Sequence, residues 1–242
     1  MKITNKYGFP DAVVDGIKYV SGMYDKGDSD FSCTELIAPP RVIALKKKHF
    51  DEIEIDVSSL VWSVLGTAVH LIVQKGARPG RDISEVRYYH KFGEKVVSAQ
   101  IDLYTISEHR LSDYKCTKAR AFCSGMKPKK EWVAQMNIQA LIMKRAYGIE
   151  AKRLEIIGLL RDHDHKEADR DSGYPSTELA SLNIPIYAEA QVERYIFERI
   201  EAHEKAREEL PECTREDTWY GIRCQKFCEA RNFCEQYQRS KK

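Results

Sequence analysis

Long apolar runs are missing from this sequence. The most apolar stretch, SLVWSVLGTAVHLIV, is interrupted by Ser63, Gly66, Thr67 and His70. It is too short and too polar to span a bilayer, so no membrane is expected as a partner. The opening MKITNKYGFPDAVVDG has no apolar segment of the kind a secretory signal carries. Excess charge is missing as well: 39 Lys and Arg stand against 37 Asp and Glu, for a net charge of +2. That excludes a wholesale basic polyanion binder. An anionic partner must be met by local patches such as Lys46 to Lys48 or Lys127 to Lys130, runs that otherwise serve as solvated faces. There is no internal repeat and no low-complexity linker, so we expect one domain over 1–242. Within it we read an irregular lead (1–30), a core (31–210) and a cysteine-bearing tail (211–242). Cysteine is not scarce, at seven residues. Without a secretion signal these point to a reducing compartment, the cytoplasm, where clustered cysteines indicate metal more than disulfides.

Enough apolar material is present for a sizeable core: 43% of residues, with 13 Tyr, 8 Phe and 3 Trp. Ser32 and Glu35 have capping-box spacing, and Pro39-Pro40 divides a helical turn from a second helix near Arg41 to His49. A helix is expected from about Asp56 to Lys75, stopped by Gly76. The segment SEVRYYHKFGEKVVSAQIDLYTI reads as two strands about a Gly93 turn, and RLSDYKC as a third. KKEWVAQMNIQALIMKRAYG reads as a helix ending at Gly148, RLEIIGLL as a buried strand and NIPIYAEA as an edge strand. A charged helix follows from about Gln191 to Glu209.

The stretch from Ser98 to Arg120 places Asp102 on one arm of a hairpin and Asp113 with Lys115 on the other. Carboxylates are depleted in strands, so these need either solvent or a specific partner. Gln100, Asp102 and Tyr104 share one strand face, and Leu111, Asp113 and Lys115 share another. A turn at Ser107-Glu108 would pair Thr105 with Arg110, and the same register sets Asp102 opposite Asp113. Two carboxylates roughly 5 Å apart repel unless a cation lies between them. Hard divalent ions such as Mg²⁺ prefer such oxygens. The hairpin is therefore either a metal clamp with a lysine beside it or a solvent-exposed, salt-bridged hairpin.

The order IDLY, eight residues, then DYK (Asp102; Asp113-Tyr114-Lys115) resembles the core of the PD-(D/E)XK nuclease superfamily. GTAVH, from Gly66 to His70, is similar to the Gly-x-x-x-His helix motif of the RecB-type branch. Gln135 matches the start of that branch's Gln-x-x-x-Tyr motif, with Gln139 in place of the Tyr. TELIAPPR and the cysteine tail are similar to phage-encoded members and to relatives of the CRISPR-adaptation nucleases. The resemblance implies an α/β restriction-endonuclease-like core, a mixed central sheet flanked by helices. It implies that Asp102, Asp113, the Tyr114 carbonyl and His70 bind Mg²⁺ or Mn²⁺. Lys115 would position or activate the attacking water, Gln135 would hydrogen-bond near the site, and Glu85 would be an accessory acidic position. The implied activity is hydrolysis of DNA, single-stranded or at strand ends, by an exonuclease working with phage or host recombination proteins. The alternative is a non-hydrolytic DNA-binding or recombination-partner protein on the same fold.

Cys213, Cys224, Cys228 and Cys234 crowd the tail. In the family, three tail cysteines spaced Cys-x2-Cys-x5-Cys and one N-terminal cysteine hold a 4Fe–4S cluster. Here the spacing is Cys-x3-Cys-x5-Cys. Two ligand sets stay open: Cys33 with Cys224, Cys228 and Cys234, or the four tail cysteines. Four thiolates suit Zn²⁺ or an iron–sulfur cluster. Cys116 and Cys123 read as ordinary thiols. RDHDHKEADRD invites a second metal reading, but we read it as a mobile, solvated loop.

Overall fold

A computed structural model describes residues 1–22 and 26–241. In chain order the first elements are β1 (Lys2–Thr4), α1 (Asp11–Ser21), β2 (Phe31–Ser32), α2 (Cys33–Ile37), α3 (Pro40–Lys48), β3 (Glu54–Asp56) and α4 (Val61–Gly76). There follow β4 (Asp82–Phe92), β5 (Lys95–Thr105), β6 (Arg110–Thr117), α5 (Lys130–Tyr147), β7 (Arg153–Leu160), α6 (His165–Arg170) and β8 (Leu179–Ile184). The chain ends with α7 (Glu189–Lys205), α8 (Ile222–Lys226) and α9 (Glu235–Arg239). The described residues group into two compact units, each discontinuous in sequence. One takes 1–22, 34–64 and 196–241; the other takes Lys26–Cys33 and Leu65–Tyr195. Three of the boundaries fall inside α2, α4 and α7, where composition offers no linker to mark them.

The second unit is built on a six-stranded mixed sheet in the order β2-β5-β6-β7-β8, with β4 also on β5. Strands β4 and β5 pair along their whole length, from Asp82 with Thr105 to Phe92 with Lys95. The other edge of β5 is shared: β2 takes Val97 and Ser98, and β6 takes Leu103 to Thr105. Between those contacts that edge of β5 has no ladder partner, and side chains satisfy the backbone groups along the gap instead, as buried backbone must. Gln139 Nε2 donates to the Gln100 carbonyl at 2.9 Å, and the Tyr114 N–H donates to Asp102 Oδ2 at 2.8 Å. Thr105 does pair with Arg110, but the ladder stops at Leu103 and Ser112, one step short of Asp102 and Asp113. From there β6 departs along β7, its parallel neighbour.

Helix α5 lies against β4 to β8. It buries Met136, Ile138, Leu141, Ile142 and Met143, each worth about 2 kcal/mol when removed from water. It ends at Gly148, whose φ of 68° supplies the left-handed cap. Gly158 on β7 is needed for a different reason. A Cβ there would meet the Phe122 ring at 2.4 Å, so only glycine admits that ring.

In the first unit, β1 pairs in parallel with β3, Ile3 beside Ile55. Val14 and Ile17 of α1 pack with Val57, Ile3, Leu60 and Val64. The lead is therefore not irregular over the described part of 1–30; residues 23–25 lie outside the described residues. The signal was the three-residue spacing of Val14 and Ile17 after Pro10, hidden by surrounding Gly and Asp. A second cluster joins Leu45 of α3 to Ala230 and Cys234, flanked by Leu210, Cys228, Phe233 and Tyr237.

Several boundaries move, among them that of the charged helix, which runs Glu189–Lys205 and not Gln191 to Glu209. Asp56 caps a 3-10 turn over Val57–Ser59, and α4 starts only at Val61. The edge strand is Leu179–Ile184, ending where Pro185 withdraws its N–H. The histidine loop contains α6, capped by Asp164, whose side chain accepts from the Lys166 N–H at 2.8 Å. Among the described residues no helix is long and apolar enough to cross a membrane. Helix α4, the most apolar segment of the sequence, buries none of its residues.

Candidate metal centre

The splay between β5 and β6 brings together most of the residues singled out above. From α4, His70 directs Nδ1 to Glu85 Oε1 at 2.9 Å and to Asp102 Oδ1 at 3.5 Å. His70, Glu85 and Asp102 each offer a ligand atom, all within 4.8 Å of one another. Such a group can hold a metal ion. Asp113 is 1% exposed and stands beside them, gripped by Gln135 Nε2 at 2.7 Å and by Lys115 Nζ at 2.6 Å. Tyr114 takes part through its N–H to Asp102, and its ring meets His70 edge-on at 6.3 Å. The glutamine pair on α5 divides the work: Gln135 fixes Asp113, while Gln139 fixes the β5 backbone.

Glu85 is the residue whose position the sequence least reveals. In the register that pairs Ser84 with Leu103 and Val86 with Ile101, it lies opposite Asp102. Its φ is +54°, a left-handed conformation that costs a non-glycine residue about 1 kcal/mol or more. That twist is stabilised by Gln100 Nε2 donating to Glu85 Oε2 at 2.6 Å, and by His70 on the other oxygen. Strain of this kind concentrates at functional sites.

The electrostatics follow from crowding acids in a buried place. Burial, and then the charge of Asp113, push the Asp102 carboxyl up to about 8. The hydrogen bond to Glu85 raises His70 in spite of its burial, with Asp102 and Asp113 adding to the effect. Burial works to lower Lys115, but Asp113 and Asp102 outweigh it and its pKa is raised. The charged form of Asp102 is thus disfavoured, and a cation bound beside it would offset that cost.

A stability measurement tests this. In the unfolded chain Asp102 titrates near the ordinary value of 3.8; in the fold it titrates near 8. The folded state therefore holds the extra proton between those values, and stability falls as pH rises through that window. Asp102→Asn removes the penalty. In EDTA the variant should be more stable than the parent by up to about 5 kcal/mol at pH 8, and by no more than about 2 kcal/mol at pH 5. Urea unfolding at both pH values reads the difference. A gain that does not grow with pH would mean the Asp102 charge is not disfavoured in the fold.

The cysteines divide. Cys33 is buried in the sheet-bearing unit, its Sγ donating to the Gln135 carbonyl at 3.7 Å. Burial, and then Asp113, push its thiol up to about 12, so Cys33 is a neutral neighbour of Asp113. Cys213, Cys224, Cys228 and Cys234 all line one cavity of about 240 Å³ in the other unit. Arg41, buried there, donates from Nε to Cys234 Sγ at 3.2 Å and from Nη1 to the carbonyls of Leu210 and Pro211. Burial, then Asp217 and the other three cysteines, push Cys213 up to about 12. The basic runs are partly spent on structure: Lys46 pairs with Glu229, Lys47 with Glu35 at 3.0 Å, and Lys129 lies over the Trp132 ring at 4.5 Å.

No family model and no curated protein matches the chain. Among solved structures, the chain is similar to one described as the crystal structure of SSO0001. The identity is 14%, over 93% of this chain and 94% of that one, with a TM-score of 0.57. A phage related exonuclease from Haemophilus somnus 129PT aligns at 15% identity over 83% of this chain and 81% of its own, with a TM-score of 0.30, too low to carry an argument. The likeness to SSO0001 extends over nearly all of both chains and concerns the fold alone.

Proposed function

We propose that this chain is a divalent-metal-dependent DNA nuclease of the PD-(D/E)XK, RecB-type kind, an exonuclease working on single strands or strand ends. The observation that carries the reading is the buried group of His70, Glu85 and Asp102, with the Asp113–Lys115 pair beside it. Hard oxygen donors and one imidazole suit Mg²⁺ or Mn²⁺. His70, Glu85, Asp102 and Asp113 would hold the ion, which when bound supplies a polarised phosphate and a more acidic water. The remaining work belongs to the chain. Gln135 fixes one oxygen of Asp113 and the Tyr114 N–H fixes one of Asp102, so neither carboxylate is free to rotate. Lys115 remains an ammonium and offers N–H donors to a phosphate oxygen or to the attacking water. The tail cavity would hold a 4Fe–4S cluster on Cys213, Cys224, Cys228 and Cys234. The setting we propose is phage or prokaryotic DNA recombination or repair, in the cytoplasm.

End-labelled single- and double-stranded DNA, incubated with Mg²⁺, Mn²⁺ or EDTA, tests the activity. Shortening from the ends with either metal, and none in EDTA, is expected. DNA that is bound and left intact under every divalent metal would sink the nuclease reading in favour of the non-hydrolytic one.

A further inference from the structure

The excursion between β7 and β8 gathers three more ligand atoms. His163, His165 and Glu178 present theirs within 4.8 Å of one another. Its neck is closed by the Leu160 N–H donating to the Glu178 carbonyl at 2.8 Å, which anchors Glu178 at the end of the sheet. Asp162 accepts from the Ala119 N–H at 2.7 Å, and the Tyr174 hydroxyl bridges the Asp162 carbonyl and the Asp164 N–H. Asp164 is occupied in capping α6. The two acids that flank His163 are thus spent on holding the excursion together, while the two imidazoles and Glu178 face each other.

His163 shows what the arrangement is for. Its Nε2 lies 2.8 Å from the Pro175 carbonyl. A carbonyl only accepts, so Nε2 carries the hydrogen and Nδ1 carries the lone pair. That Nδ1 is buried and has no hydrogen-bond partner. A buried acceptor left unsatisfied costs about 1–3 kcal/mol. A histidine whose second nitrogen donates to a backbone carbonyl is the ordinary state of a metal ligand, with tautomer and ring orientation fixed. His165 stacks edge-on to it at 5.0 Å and points Nε2 at Glu178 Oε1, 2.9 Å away.

We propose that His163, His165 and Glu178 form a second metal site, for a borderline first-row divalent ion of the Zn²⁺ class. Two imidazoles and one carboxylate form a three-ligand zinc set with a position left for water. The donor balance is opposite to that at His70, where two carboxylates accompany one imidazole. Mg²⁺, which prefers oxygen, is therefore refused here. A bound ion would tie the start of α6 to the sheet through Glu178. The proposal stands apart from the nuclease reading and does not depend on it.

Two measurements on the full chain test it, with Zn²⁺ as the probe. Equilibrium dialysis should give one fewer bound Zn²⁺ in His163→Ala and His165→Ala than in the parent, whereas His70→Ala retains this equivalent. Equal stoichiometry in the parent and both loop variants would overturn the site, leaving only a surface His–Glu ion pair. Trypsin reads the same event locally, at Lys166 and Arg170 inside the excursion. Zn²⁺ should slow cleavage there about tenfold or more in the parent, and leave His165→Ala and Glu178→Gln unprotected. Both of these residues are exposed, so the variants are expected to fold. Millimolar Mg²⁺ should not protect. Cleavage in the parent at one rate with and without Zn²⁺ would also overturn the proposal.

Discussion

Asp113→Asn and Lys115→Ala are each expected to lose metal-dependent DNA cleavage by about a thousandfold or more, on the order of 4 kcal/mol of barrier. The reasons differ. Asp113→Asn keeps the shape and still accepts from Gln135 Nε2, but it removes a negative charge 2.6 Å from Lys115 and beside the His70 group. Ion affinity falls with it. Lys115→Ala leaves every candidate metal ligand in place, so affinity for Mn²⁺ should persist while turnover collapses. Titrating Mn²⁺ into both variants therefore separates the two roles. DNA binding should largely survive in both, because phosphate contacts would come from other basic groups. Parental cleavage rates in both purified variants, with contaminating nuclease excluded, would remove Asp113 and Lys115 from the reaction.

How much of this was legible differs from element to element. The β4–β5 hairpin and α5 were plain, because Val, Ile and Tyr at strand spacing and a long apolar helical period leave few alternatives. The Thr105–Arg110 register was also legible, since a short turn fixes it. Its continuation to Asp102 and Asp113 was not. Once Asp102 accepts from the Tyr114 N–H, the strands separate and the ladder ends. Glu85 could be suspected only as an acid near a strand start. Its left-handed backbone accompanies side-chain bonds to Gln100 and His70, tertiary contacts that local propensity does not carry. The burial of Cys33 against Gln135 has no local sequence signal, because Gln135 lies far along the chain on α5. His163 and His165 read as solvated because the carbonyl that fixes His163 comes from Pro175, twelve residues on.

The tail is expected to need its thiolates to stay folded. Helices α8 and α9 have five residues each, far below the length at which a helix persists alone. Among residues 211–241 only Ala230 and Cys234 are fully buried, so apolar burial there contributes only a few kcal/mol. A segment that poor in core would gain much of its stability from a metal cross-link. A single tetrahedral Zn²⁺ at about 2.3 Å from each sulfur would hold them roughly 3.8 Å apart. The four cysteines are among the residues that line a space of about 240 Å³. An iron–sulfur cluster is the occupant proposed above. Arg41 Nε donates to Cys234 Sγ at 3.2 Å and so orients that sulfur. Anaerobic purification should yield brown protein with iron and broad absorbance at about 400 nm, from sulfur-to-iron charge transfer. Cys228→Ser and Cys234→Ser should each lose the colour and make the chain beyond Pro211 sensitive to protease. Stoichiometric zinc would correct the metal and keep the thiolate site. Protein that carries neither metal, and whose tail is cut at the same rate in parent and variants, would show that these cysteines are merely packed.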